Sequence, residues 1–194
     1  MATAIRPIHF FEVLLKDRLR KVTFKTVPMY ILLALLIYYA KPQPGSFLIG
    51  LSLILSGEAL RLWAAGHLSK NREVTTTGPY AYVKNPLYLG TFLVTTGFCL
   101  MARQWILLAV GLIVFLGYYV PFKKKREADR LREIFGADWD EYDRSVPDYL
   151  PRLSPYQGRG RHPWEWSRVL SNSEHETAVI TLIGVAIIGV RFFI

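Results

Sequence analysis

The stretch Gly78-Pro-Tyr-Ala-Tyr-Val-Lys-Asn-Pro-Leu-Tyr-Leu-Gly90 gathers the residues of this chain best suited to holding a polar ligand. Gly78-Pro79 is a turn signal, and the pyrrolidine ring fixes the φ of Pro79 at about −65°. Pro86 forbids an uninterrupted helix through Asn85 and is best tolerated in the first turn of a new one. The spacing predicts a short turn, an extended pair of tyrosines (Tyr80 and Tyr82), and a helix starting at Asn85-Pro86. Such a helix start carries unpaired backbone N–H groups, here flanked by Lys84, Asn85 and Tyr88, and suits an anionic or polar ligand at a bilayer surface. The same residue types also serve as headgroup anchors in a plain membrane-interface turn, so spacing alone leaves both readings open.

The segments that must position this stretch are apolar. Of 194 residues, 52% are hydrophobic and 14% aromatic, the composition of a membrane protein and not of a soluble enzyme. The formal charge of +9 comes from basic residues that flank apolar runs, which points to anionic membrane lipid as partner and away from nucleic acid. Cys99 is the single cysteine, so neither a disulfide nor a Cys-based metal site is available, and no metal is expected. The chain opens without a short apolar core and small-residue cleavage site, so no removable leader is expected.

Residues 4–25 place Ile5, Ile8, Phe11, Leu14, Leu19 and Val22 at helical spacing between charged residues, the pattern of an amphipathic helix lying in the interface. Runs 27–40 and 46–65 form one apolar hairpin around the 41–45 link, and runs 87–101 and 105–120 form a second. Glu58 and Arg61, three apart on one helix face, read as an inward-facing ion pair, with a functional role as the alternative. Residues 123–135 form a charged helix leaving the membrane. Residues 138–162 read as irregular, Trp164 and Trp166 as an interface belt, and 178–194 as an extra C-terminal span that anchors the chain or meets a second copy. The expected fold is one all-α integral membrane helical bundle over 1–194. It has about five transmembrane helices, the N-terminal interfacial helix and a cytosolic helix in the C-terminal half. Twenty-one Lys and Arg fall on one side of these spans against three on the other, which puts the N-terminus and the Gly78–Gly90 stretch in the cytoplasm.

The pattern Gly-Pro-Tyr-x-Tyr-x-(Arg/Lys)-(His/Asn)-Pro-x-Tyr-x-Gly resembles the signature of the isoprenylcysteine carboxyl methyltransferase and phospholipid methyltransferase superfamily. A second block, Glu127, Leu131, Phe135-Gly136, Trp139, Tyr142, Val146-Pro147 and Pro151, is similar in order and separation to that superfamily's tail. The resemblance covers residues 61–151 as a methyltransferase-like catalytic core. It implies methyl transfer from S-adenosylmethionine to a lipid-borne acceptor at the cytosolic face, most like isoprenylcysteine carboxyl O-methylation, with phospholipid amine N-methylation as the alternative. Carried over by position, Tyr82, Lys84, Asn85, Pro86, Tyr88 and Gly90 form part of the cofactor cradle, and His67 at the membrane exit joins the cofactor candidates. Glu127 and Lys123, one helical turn apart, are the catalytic candidates. A cation at Lys123 would orient a carboxylate acceptor, whereas Glu127 would take the proton of an amine. The chain departs from the pattern at Asn85, where many members carry His, and at Ala128, where the paired-Glu motif has its second carboxylate.

Two other classes compete. A sterol-type reductase would want Arg126, Arg130 and Arg132 for the 2′-phosphate of NADPH, and a non-catalytic membrane scaffold would explain Asn85 and Ala128. No Gly-x-Gly-x-x-Gly marks a soluble nucleotide-binding fold. The expected partners are the membrane, a lipid or lipidated small molecule, and a second copy through the last run.

Overall fold

The longest element begins where the prolines of the 41–45 link stop obstructing it. Helix α1 (Pro44–His67, 24 residues) has Pro44 at its first position, where a missing N–H costs nothing, and the Ser46 hydroxyl accepts from the N–H of Gln43 at 3.1 Å. At ~1.5 Å per residue it runs about 36 Å, more than a hydrocarbon core of about 30 Å. Among the described residues it is the one helix long and apolar enough to cross a membrane.

The computed structural model describes residues 34–70, 72–117, 124–158 and 163–191. The expected interfacial helix over 4–25, the beginning of the 27–40 run and Lys123 lie outside them. The chain divides into two compact units, residues 1–39 and 40–194. The described part of the first is a short helical stretch over 34–38. The second carries α1, a tight helical turn at Gly78–Ala81, α2 (Pro86–Met101), α3 (Trp105–Val114), α4 (Lys124–Phe135), α5 (Ala137–Ser145), α6 (Trp166–Ser171) and α7 (Glu174–Val190). Among the described residues the fold is all-helical, as expected. Of the five expected spans, the described residues show one helix of full length, and α2 and α3 are shorter apolar helices.

α1 and α2 make the most extensive pairing, and its closeness is set by glycine. The two helices run antiparallel with Gly50 against Gly97 and Gly57 against Gly90. A Cβ on Gly50 would come 2.5 Å from the Gly97 carbonyl oxygen, and one on Gly57 would come 2.7 Å from that of Gly90. Both pairs are seven residues apart on their helices, so they share one face and bring the backbones together over two turns.

Two elements differ from expectation. Residues 138–145 are helical, not irregular. Asp138 and Asp140 sit in the first turn of α5, where the helix dipole favours negative charge, and Trp139, Tyr142 and Val146 bury one stripe against Leu131 and Phe135 of α4. The last helix begins at Glu174, four residues before the apolar run. Thr181, Gly184 and Ile188 are buried on one of its faces while Val179, Ile180 and Leu182 stay exposed on another. The reason for the earlier start is polar: the nearest carboxylate to Arg61 is Glu174 at 2.6 Å, with the expected partner Glu58 at 3.9 Å.

The glycine crossing makes a prediction. Gly57→Val should destabilise the protein by about 3 kcal/mol, because overpacking forces the helices apart. Gly45→Ala, at a position with nothing within 4 Å, should be neutral or slightly stabilising. Thermal melts of the two variants in one detergent check this; equal melting temperatures would refute it.

Candidate active site

The motif is folded more tightly than its spacing implied. Gly78 adopts a left-handed φ of 59°, and a Cβ there would meet the His67 ring. His67 is held in turn by Thr77, its Nδ1 lying 3.1 Å from the threonine hydroxyl. The N–H groups of Tyr82 and Val83 both donate to the Pro79 carbonyl, at 3.0 and 3.1 Å. Residues Gly78–Ala81 thus form one helical turn, and the extended tyrosine pair expected from sequence is corrected: the proline-initiated turn sinks Tyr80 inward. Tyr142 donates its hydroxyl to the Tyr80 carbonyl at 2.8 Å. Burial pushes the phenols of Tyr80 and Tyr142 well above the usual tyrosine range, with smaller pushes on Tyr80 from Tyr142, Glu174 and Glu127. Both are neutral hydrogen-bonding groups at any physiological pH.

A strap of chain after α5 is laced to this turn through main-chain atoms. Lys84 N–H donates to the Pro147 carbonyl at 2.9 Å, Arg152 N–H to that of Tyr82 at 3.0 Å, and Tyr156 N–H to that of Ala81 at 2.8 Å. Lys84 adds its side chain. Its ammonium, 7% exposed, meets Asp143 at 2.6 Å and Asp148 at 3.1 Å, and the Asn85 amide donates to the Asp148 carbonyl at 3.3 Å. A buried ammonium is tolerable only with such partners.

This lacing carries α4 across the start of α2. Tyr88 donates its hydroxyl to Glu127 Oε2 at 2.5 Å, so the motif and the acidic residue of the second block, 39 positions apart in sequence, meet directly. Two cavities flank the contact. One, of about 350 Å³, mixes polar and apolar groups: Glu73, Lys84, Asn85, Glu127, Arg130 and Trp139 are in its wall. The other, of about 230 Å³, lies between α2 and α3 and is almost wholly apolar, with Phe92, Leu108, Leu112 and Phe115 among its walls. Tyr88 stands in both walls, the single described residue that does.

Of the sequence-based candidates, Lys84, Asn85, Pro86, Tyr88 and Glu127 come together around the larger cavity. Tyr82, Gly90 and His67 are not in its wall: Tyr82 holds the strap, Gly90 is in the helix crossing, and His67 lies beneath Gly78. Lys123 is outside the described residues. Sequence reasoning did not assign Trp139 to the site, although its place in the second block and its spacing to Tyr142 and Val146 were a usable signal. Its indole N–H is buried without a hydrogen-bond partner. An orphaned donor of that kind, beside aromatic walls and two carboxylates, fits a nucleoside carrying a cationic tail. The cavity's size also falls in the range of about 300–1,000 Å³ usual for small-molecule sites. Among the described residues no group of three or more His, Cys, Asp or Glu side chains is placed to hold a metal ion.

Residues 46–138, just under half of the chain, match the family model described as phospholipid methyltransferase. The cobalt-zinc-cadmium resistance protein CzcN of Cupriavidus metallidurans is 33% identical over 114 residues, 57% of this chain and 50% of that protein. The nickel-cobalt-cadmium resistance protein NccN of Alcaligenes xylosoxydans xylosoxydans is 32% identical over 118 residues, 58% of this chain and 54% of that protein. The protein-S-isoprenylcysteine O-methyltransferase of Schizosaccharomyces pombe is 24% identical over 109 residues, 56% of this chain and 46% of the relative. The chain spans about half the length of these curated relatives, and no solved structure matches it. The family model and the yeast enzyme together bear out the superfamily that the two motif blocks resemble.

The geometry predicts that Lys84→Met lowers stability by about 3 kcal/mol, since it takes away the buried cation that Asp143 and Asp148 share. Chemical denaturation in detergent measures this. An unchanged midpoint would mean that the ammonium serves something other than the strap.

Proposed function

We propose that this chain is an integral membrane methyltransferase that uses S-adenosylmethionine and acts on a lipid-borne acceptor at the cytosolic face, most like isoprenylcysteine carboxyl O-methylation. The observation that carries the reading is the position of Tyr88, in the walls of a polar and an apolar cavity at once and bonded to Glu127. A water-soluble donor and a membrane-dissolved acceptor need separate approaches that converge on one atom. Here the approaches would be the mixed cavity and the α2–α3 cavity. In this reading the shorter helices α2, α3 and α7 also cross the bilayer, which would make up the expected five spans with the run before α1.

S-adenosylmethionine bound in the mixed cavity would supply a methyl group on a sulfonium, already a strong electrophile. What remains for the chain's own residues is to orient the acceptor, exclude water and manage a proton. Trp139, Phe135 and Val74 offer apolar and aromatic surface to a nucleoside. Glu127 supplies negative charge beside a cationic donor, and Tyr88 fixes which way that carboxylate points.

One observation favours a second reading, a phospholipid amine as acceptor. An ammonium must lose a proton before it can attack, and Glu127 is a carboxylate already in place to take it. Lys84, the buried cation of the motif, is occupied by Asp143 and Asp148 instead of facing an acceptor. For the NADPH alternative, Arg130 is in the cavity wall while Arg132 is paired with Asp129, Asp140 and Asp143.

Calorimetric titration of the detergent-purified protein should show binding of S-adenosylhomocysteine and none of NADPH; the reverse preference would remove the methyltransferase reading. With labelled S-adenosylmethionine and a native lipid extract, Glu127→Gln should cut turnover by about 10² or more, the usual worth of a positioned acid or base. Its affinity for S-adenosylhomocysteine should change far less, and near-normal turnover would exclude Glu127 from the chemistry.

A further inference from the structure

Arg61 is in neither cavity wall, yet its contacts lead to both. Its guanidinium pairs with Glu174 Oε2 at 2.6 Å and donates to the Thr91 hydroxyl, while Glu58 stands 3.9 Å from Nε. Glu58 is held from the far side by the Thr181 hydroxyl at 2.7 Å. The side chains of Arg61, Glu58 and Glu174 are 13%, 12% and 11% exposed, so removing Arg61 alone strands two carboxylates in poorly solvated surroundings. The stem of Arg61 rides over Gly90, where a Cβ would come within 2.5 Å of its Cγ. Thr91 passes the connection on by donating to the Leu87 carbonyl at 2.9 Å.

The chain of contacts therefore closes on residues 87–91, the part of α2 that carries Tyr88. Leu87 and Tyr88 are in the wall of the mixed cavity, and Tyr88 and Thr91 in that of the apolar one. At the other end, Glu174 and Thr181 belong to α7, beyond the region 46–138 that matches the family model.

We propose that Arg61 is a positioning residue: braced by Glu174 of α7, it fixes residues 87–91 and so holds the Tyr88 hydroxyl on Glu127. α7 is then a working part of the site. The effect on turnover rests on the methyl-transfer reading; the placing of Tyr88 does not.

The test separates positioning from stability by removing all three charges of the cluster. Arg61→Met with Glu174→Met and Glu58→Gln leaves no ion in the cluster, the amide at 58 still accepting from Thr181, and such replacement of buried charges is commonly neutral or stabilising. In lipid nanodiscs, hydrogen exchange of peptides covering 87–91 should nonetheless quicken about tenfold, with peptides of α3 unchanged. Turnover of S-adenosylmethionine with a native lipid extract should fall about tenfold, while the donor KM moves by less than about threefold. Arg61→Lys keeps a charge for Glu174 but lacks the fork needed to reach Thr91 as well, and it should loosen the same residues. It carries the test if the triple variant does not fold. Wild-type exchange over 87–91 in the folded variants overturns the proposal. Loosened exchange in variants of a protein that never turns over S-adenosylmethionine upholds the positioning and takes down the methyl-transfer reading alone.

Discussion

An ammonium group shut away from water stays charged only where carboxylates surround it, and Lys84 draws in two of them. One comes from α5 and the other from the strap that follows it, so a single side chain binds both to the motif. The backbone bonds from Ala81, Tyr82 and Lys84 to the strap complete the fastening. α4 packs on α5 through Leu131 and Phe135, and it is carried along. Glu127 reaches Tyr88 because of this sequence of attachments. Without Lys84 and its partners, α4 would lose part of what holds it over the start of α2.

The other half of the site is set by close contact instead of charge. Glycines at both α1–α2 crossings let the two backbones approach until their carbonyls nearly touch the opposing Cα atoms. That fixes the start of α2 relative to α1, and the Arg61 network ties the same turn to α7. Tyr88 is thereby presented from a rigid helix pair while Glu127 is presented from the laced helices α4 and α5. The two carriers meet at one hydrogen bond, with a mixed cavity on one side and an apolar one on the other.

Much of this was legible in the residues. The prolines at 79 and 86 marked the turn and the start of α2, and the apolar runs located α1 and α2 to within two positions and the start of α3. The meeting of the motif with Glu127 followed from the resemblance of two blocks and is present in the structure. Lys84 and Gly90 are less transparent: a lysine near a helix start looks like a ligand contact until its carboxylates, 59 and 64 residues away, are seen, and a glycine in a motif does not announce which surface needs it small. α5 was concealed by its charge, because three aspartates and a glutamate among nine residues look like loop when the Trp139, Tyr142 and Val146 stripe is not counted. The start of α7 was concealed likewise, since Glu174 reads as linker until Arg61, 113 residues earlier, supplies its partner.

The strap over residues 147–156 is sewn to the motif by peptide groups, which every residue type except proline can provide in full. Two of its side chains, Leu150 and Leu153, stand almost completely bare. Substitution at those two positions can therefore proceed one residue at a time without unstitching the backbone bonds that hold the motif.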